Sequence, residues 1–203
     1  MHTQPIDILR HRINQRTPNL LDTPPDAAVA AVLCPSDGDV QLLYIERMRA
    51  EGDPWSGHIA FPGGRVEPDD RSLRETAERE TREEIDLHLS DEHYVGRLDD
   101  LKGTSLPVQV AAFVYALGDR TELAPNGEVH RAFWHPLSTL CDPERQRMHV
   151  AQHRGASRPM PAIDVLGPNN PLLWGITYRF TAQLTHLLGH PLPIHPRAEG
   201  AHQ

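Results

Sequence analysis

One stretch constrains this chain more than any other: residues 63–87, GGRVEPDDRSLRETAERETREEIDL. It opens on a glycine pair and runs into a segment with helical periodicity. At about 100° per residue, Leu73, Ala77, Glu80 and Glu84 share one stripe, and Glu83 lies beside it, one turn before Leu87. A stripe carrying Leu and Ala faces a core, and carboxylates on that stripe are costly to bury unless a cation meets them. A divalent metal ion is the simplest such cation. Ser72 followed by Glu75 has the form of a capping box, which starts the helix near Asp70 or Ser72 and ends it near Asp86.

The rest of the chain alternates strand and helix signals. Residues 5–16 predict a short amphipathic helix with Ile6, Leu9 and Ile13 on one face. Residues 27–34 and 40–47 predict a hairpin around the turn Ser36-Asp37-Gly38-Asp39. Further strands are expected at about 94–98, 108–117 and 128–134, the last entered through the Asn126-Gly127 turn, with a short turn or helix from His135. Residues 142–170 are proline-rich and read as irregular, with short strands near Met148 and Ile163. Residues 172–188 predict a second strong helix with Leu173, Ile176, Phe180 and Leu184 inward. One domain is expected, 27–189, preceded by a helix and linker (1–26) and followed by a flexible tail (190–203).

Composition narrows the partners. A net charge of −8 disfavours duplex nucleic acid and anionic membrane surfaces. No apolar run is long enough to span a bilayer, no secretory signal opens the chain, and two cysteines, Cys34 and Cys141, supply no disulfide framework, so a cytoplasmic setting is expected. The histidine pairs His149/His153 and His130/His135 lack cysteines or acids at zinc-site spacing and read as scattered loop and surface residues.

Two carboxylates one turn apart, with a third adjacent, can hold Mg²⁺ at a helix surface, because that ion takes oxygen ligands and keeps waters and substrate phosphates in its shell. Such an ion neutralises a polyphosphate and acidifies a bound water. The glycine pair lets the backbone approach closely, with Gly64 offering its carbonyl. The competing reading is a solvated helix laced by i,i+4 pairs. Glu75–Arg79 and Glu78–Arg82 are assigned to that reading, whereas Glu80, Glu83 and Glu84 behind a glycine turn are not.

The segment resembles the Nudix box, G-x5-E-x7-R-E-U-x-E-E-x-G-U with U apolar. Gly64 matches the first glycine, Arg79-Glu80 and Glu83-Glu84 the core, and Leu87 the last position. Asp70 stands in place of the first Glu with one extra residue before Arg79, Thr81 replaces an aliphatic residue, and Asp86 replaces the second glycine. Residues 56–64, SGHIAFPGG, and 171–177, PLLWGIT, resemble the coenzyme A pyrophosphatase branch, although Asp53 occupies that branch's second arginine position. The resemblance spans about residues 27–188. It implies an α/β fold, the Nudix α/β/α sandwich with a mixed sheet between helices.

The implied activity is Mg²⁺- or Mn²⁺-dependent hydrolysis of a pyrophosphate bond in a nucleoside diphosphate-linked small molecule. Coenzyme A would give 3',5'-ADP and 4'-phosphopantetheine. Other dinucleotides (ADP-ribose, NADH, dinucleoside polyphosphates) are the alternative substrates, and a non-catalytic nucleotide sensor is a third reading that the intact Arg79-Glu80-x-x-Glu83-Glu84 disfavours. Gly64, Glu80, Glu83 and Glu84 are expected to hold metal, and Arg79 to orient a carboxylate. The general base is sought among Glu83, Glu80 and Glu128. Arg47, Arg49 and Arg65 are candidates for substrate phosphates. Trp55, Tyr44 and Phe113 are assigned to packing, as are His58 under the glycine turn and Trp174 in its helix. Homodimers are common in the family, so a homodimer is a further expectation.

Overall fold

Burial of the first long strand on both of its faces decides the layering. The computed structural model describes residues 5–193 apart from 37, 53, 54, 105, 106, 154 and 155. The residues Asp37 and Asp53, and residues 194–203 of the expected tail, therefore lie outside the described residues. Helix α1 (Pro5–Asn14) leads to strands β1 (Ala27–Ser36) and β2 (Asp39–Arg47), which pair antiparallel through the expected hairpin. Ala28, Ala30, Val32 and Cys34 of β1 face one side of the sheet, while Ala27, Ala31 and Leu33 face the other. A strand buried on both faces needs cover on both.

The covers come from later in the chain. After the short strands β3 (Ile59–Ala60) and β4 (Gly63–Arg65) comes helix α2 (Leu73–Ile85), which lays Ala77 and Ile85 on the first face. Strands β5 (Tyr94–Arg97), β6 (Leu101–Lys102), β7 (Gln109–Ala116) and β8 (Val129–Pro136) complete the sheet. Helix α3 (Leu137–Leu140) and the hairpin β9 (Gln146–His153) and β10 (Ala156–Ile163) follow, then β11 (Leu173–Trp174) and helix α4 (Gly175–Leu188). Phe180, Leu184 and Leu188 of α4 share the second face with Leu9 and Ile13 of α1. The result is the expected α/β/α sandwich. Its sheet is mixed, because β1 runs parallel to β7 and antiparallel to β2 and β4.

The sheet is split where the site forms. Near the hairpin, Leu33–Ser36 of β1 pair with Asp39–Leu42 of β2. Further on the two strands diverge: β2 pairs β3 at Ile45 and Glu46, and Ala27–Val29 of β1 pair β4. Residues 59–65 thus fill a fork in the sheet. Phe61 anchors the wedge by stacking on buried Tyr44, ring centroids 5.1 Å apart, and Ala30 N–H donates to Pro62 O at 2.9 Å.

Three expectations need correction. The short strands expected near Met148 and Ile163 are present but longer than expected, as the eight-residue β9 and β10, which join β11 in a second, three-stranded antiparallel sheet rather than an irregular stretch. Pro159 and Pro161 mask the length of β10 in the sequence. Two residues apart, they lack N–H groups on the same edge, and β11 pairs β10 only at Ala162 and Ile163, so no ladder bond is lost there. Leu173 and Trp174 belong to β11 rather than to the second helix, because Gly175 turns the chain at φ +69° before α4 begins. Arg71 and Arg74, not Arg79 and Arg82, make the i,i+4 pairs with Glu75 and Glu78.

Candidate active site

Helix α2 is fixed at both ends by its own sequence. Ser72 Oγ accepts Glu75 N–H at 3.1 Å, although Glu75 returns its carboxylate to Arg71 N–H rather than to Ser72, so only half of the capping box forms. Asp86 closes the helix in the left-handed region (φ 56°), a role usually given to glycine that Asp tolerates. Thr81 fills its aliphatic slot by donating its hydroxyl to Ala77 O at 2.6 Å.

The expected stripe turns toward the glycine wedge. Glu84 is buried, its side chain 2% exposed, with Oε2 accepting Gly63 N–H at 2.9 Å and Oε1 3.4 Å from Arg47 Nη1. Glu80 is also largely covered and lies directly against Gly64. A Cβ built on Gly64 would stand 2.4 Å from the Glu80 carboxylate, so the missing side chain is the space that the carboxylate occupies. Gly63 serves the backbone instead. Its φ is +146° and a Cβ there would sit 2.3 Å from Ala28 O.

Arg79 is the hub. Its Nε and Nη2 grip Asp70 Oδ1 and Oδ2 at 2.9 and 3.1 Å, and Nη2 also reaches Arg65 O at 3.1 Å. Nη1 donates to Glu80 Oε1 at 3.0 Å and to Glu83 Oε2 at 3.1 Å. This bidentate grip holds the Asp70 carboxyl well below its ordinary range. Asp70, noted in the sequence only as a departure from the box, is what orients the arginine that orients two glutamates. Its extra-residue spacing hid that role.

Asn126 docks the loop onto the end of α2. Its N–H donates to Glu84 O at 2.8 Å, its Nδ2 to Glu83 O at 2.9 Å, and its Oδ1 accepts Glu128 N–H at 2.8 Å. Met48 N–H in turn donates to Glu128 O at 2.7 Å. The turn thereby brings Glu128 beside the α2 acids. Burial, with Glu80 and Glu128 nearby, pushes the Glu84 carboxyl up to about 8, against the opposing pull of the Gly63 N–H and Arg47. Glu80 is raised as well, burial outweighing the attraction of Arg79.

Of these residues, Arg47, Gly63, Gly64, Arg65, Glu80 and Glu128 line a cleft of about 730 Å³, while Glu84, Arg79, Asp70 and Asn126 lie outside its lining. The lining also holds a ring cluster of His58, His149 and Trp174, together with Phe180. Glu83 is half-exposed and outside the lining. Arg49, grouped in the sequence with Arg47 and Arg65, instead lines a neighbouring cavity. Trp55 lines the cleft with the Arg65 guanidinium 5.9 Å from its ring centre, while Tyr44 and Phe113 are core. His58 and Trp174 were expected to serve packing only, yet they meet edge-on at 5.0 Å in the cleft wall, with His149 at 4.2 Å from Trp174. Trp174 becomes visible as a site residue only once Gly175 is recognised as ending a strand.

Whether these acids suit a metal follows from their surroundings. Among the described residues, no three His, Cys, Asp or Glu side chains are gathered as a ready cluster. Glu83 is drawn to Arg79, and Glu84 to Gly63 and Arg47. The donor set is nonetheless oxygen-only, and burial first, then neighbouring carboxylates, raises the Glu80 and Glu84 carboxyls, which is the condition a hard divalent cation relieves. The glycine cradle around Glu80 leaves a backbone carbonyl close by. The residues fit such an ion.

A carboxylate helix packed on a split sheet, with Arg47 and Arg65 in the cleft lining, suits a ligand that carries phosphate charge. The pattern of the NUDIX domain matches residues 24–156. The human mitochondrial coenzyme A diphosphatase NUDT8 is 35% identical over 189 residues, covering 91% of this chain and 78% of that protein. Mouse mitochondrial coenzyme A diphosphatase NUDT8 is 35% identical over 185 residues, covering 88% and 85%. A solved MutT/nudix family protein from Enterococcus faecalis superposes with a TM-score of 0.55 at 18% identity, over 87% of this chain and 71% of that one, which speaks for the fold. The chain belongs to the Nudix family and is a pyrophosphohydrolase.

Proposed function

We propose that this protein hydrolyses the pyrophosphate bond of coenzyme A or its derivatives, releasing 3',5'-ADP and 4'-phosphopantetheine. The observation that carries the chemistry is the pair of largely buried carboxylates held against the glycine wedge, Glu84 on Gly63 N–H and Glu80 against Gly64 in the cleft lining. The likeness to the two mammalian coenzyme A diphosphatases supports the substrate. Gly64, Glu80, Glu83 and Glu84 would hold Mg²⁺ or Mn²⁺, which supplies charge neutralisation of the phosphates and a more acidic water.

The side chains divide the remaining work. Arg47 and Arg65 neutralise phosphate oxygens in the cleft they line. Glu84, with both oxygens engaged, is a fixed acceptor rather than a proton carrier. Arg79 keeps Glu80 and Glu83 aimed. Glu128 is the group we assign to take the proton as water oxygen bonds to phosphorus and the bridging P–O bond breaks. It lines the cleft, beside Glu80 and Glu84, on a loop braced by Asn126.

We also place the domain at 27–189, between a helix-and-linker segment (1–26) and a tail (190–203), in the cytoplasm and as a homodimer. The two mammalian relatives are named as mitochondrial. Among the described residues no helix is long and apolar enough to cross a membrane.

The test is incubation with Mg²⁺ and a panel of coenzyme A, ADP-ribose, NADH and diadenosine polyphosphates, with products read by mass. Preferential cleavage of coenzyme A, lost in Glu84→Gln, is the expected result. Preference for another dinucleotide would reject the substrate while keeping the chemistry.

A further inference from the structure

Beside the cleft lies a second cavity of about 450 Å³, and three side chains, His58, His149 and Trp174, wall both spaces. The two differ in charge. The cleft mixes Arg47 and Arg65 with Glu80 and Glu128, whereas the second cavity has Arg49, Ser56, Asn169 and Asn170 beside the shared residues, and no carboxylate among the described residues that line it. Described lining that offers one guanidinium and several neutral donors suits an anion.

Its rim is built rather than slack. Asn169 stands in the left-handed region at φ 65°, and the neighbouring Asn170 fixes the loop around it. Asn170 Nδ2 donates to Leu166 O and Pro168 O at 3.1 and 3.2 Å, and its Oδ1 accepts from Arg131 Nη2 at 2.8 Å. Arg131 Nε is in turn held by buried Glu46 at 2.6 Å. Asn tolerates that conformation, and the chain of bonds into the sheet holds the loop, and Asn169 with it, in one position.

We propose that this cavity is a subsite for a phosphate monoester on the nucleoside part of the substrate, the second phosphate of a nucleoside bisphosphate. Arg49 is its charge partner, and Ser56 and Asn169 are neutral donors. The nucleoside bridges the shared wall while the pyrophosphate lies beside Glu80 and Glu128 in the cleft. The inference rests on the coenzyme A reading, since that substrate carries a 3'-phosphate on its adenosine.

Calorimetry with 3',5'-ADP and AMP tests it without turnover. The intact protein binds 3',5'-ADP at least about tenfold more tightly than AMP, the scale of one charge-assisted contact. Arg49→Gln brings the ratio close to one, and Asn169→Gly, which keeps the backbone conformation, lowers it in part. Equal binding of the two nucleotides, no binding of either, or a ratio unchanged by Arg49→Gln overturns the subsite. Coenzyme A hydrolysis is scored separately, so a preference for 3',5'-ADP without hydrolysis of coenzyme A would keep the subsite and reject the substrate.

Discussion

Two groups of residues around the cleft, one on α2 and one by β9–β11, are stiffened by different physics. In the α2 group, charge does the bracing: one guanidinium, Arg79, holds Asp70, Glu80 and Glu83, and Gly64 stands where any side chain would displace the Glu80 carboxylate. In the β9–β11 group, rings and amides do it: Trp174 packs against His58 and His149, and Asn170 ties its loop to Arg131. Charge bracing places oxygens where a cation and water must sit, and a shift of a few tenths of an ångström there costs turnover. Ring and amide bracing shapes a space, and a change there alters which molecule fits. The comparison assigns catalysis to one wall and choice of substrate to the other, so each can be broken without the other.

The largest break is expected at the acids. Glu84→Gln or Glu80→Gln lowers kcat by about 100-fold or more, since even groups that merely support metal ligands are worth 10–100-fold. Steady-state assays with a thermal melt confirm that the fold persists.

The glycine pair sharpens the same point. Gly64→Ala pushes the flexible Glu80 carboxylate out of its space and costs activity on the same scale, with little loss of stability. Gly63→Ala instead drives a Cβ into Ala28 O at a positive φ and destabilises the fold by about 2–3 kcal/mol. Equal effects of the two on melting temperature would sink this separation.

Asp70→Asn comes next. Removing the charge under Arg79 costs about 2 kcal/mol and lowers kcat about tenfold through Glu80 and Glu83. Denaturant titration and kinetics measure the two effects.

The proton inventory gives a fourth result. The Glu84 carboxyl is raised from 4.5 to about 8, so burial favours its neutral form in the folded protein. Its contribution to stability is full below about pH 4.5 and is lost as pH rises toward 8. Melting of the metal-free protein therefore shifts downward across that window, and Mg²⁺ restores more stability at pH 8 than at pH 5. A metal-free melting temperature that rises through the window would contradict the burial of this carboxyl. The smallest effect is at the β9–β11 wall: Asn170→Ala raises KM for coenzyme A about threefold to tenfold with kcat held, as expected when about one neutral hydrogen bond's worth of order is lost.

How far the sequence spoke differs between the walls for the same reason. Helix α2 announced itself because helical period, cap and charge all coincide within one local segment, and Ser72, Ala77 and Glu84 sit as their spacing requires. Asp70 and Asn126 were hidden because their partners lie across a turn or in another element. The β9–β11 wall was hidden more deeply. Pro159 and Pro161 in β10 leave a local strand signal only near Ile163, and the pairing that makes the full strand is with residues 146–153. Trp174 read as helix because apolar spacing continues smoothly across Gly175, whose positive φ leaves no trace in periodicity. Local signals survive in the sequence, whereas long-range pairing does not.

The most direct measurement is Mn²⁺ binding followed by electron paramagnetic resonance in the intact protein, Glu84→Gln, Gly64→Ala and Asn170→Ala. The account predicts bound Mn²⁺ in the intact protein, strongly weakened in the first two variants and unchanged in the third. Undiminished binding in Glu84→Gln and Gly64→Ala, or equal loss in all three, would contradict the division between the two walls.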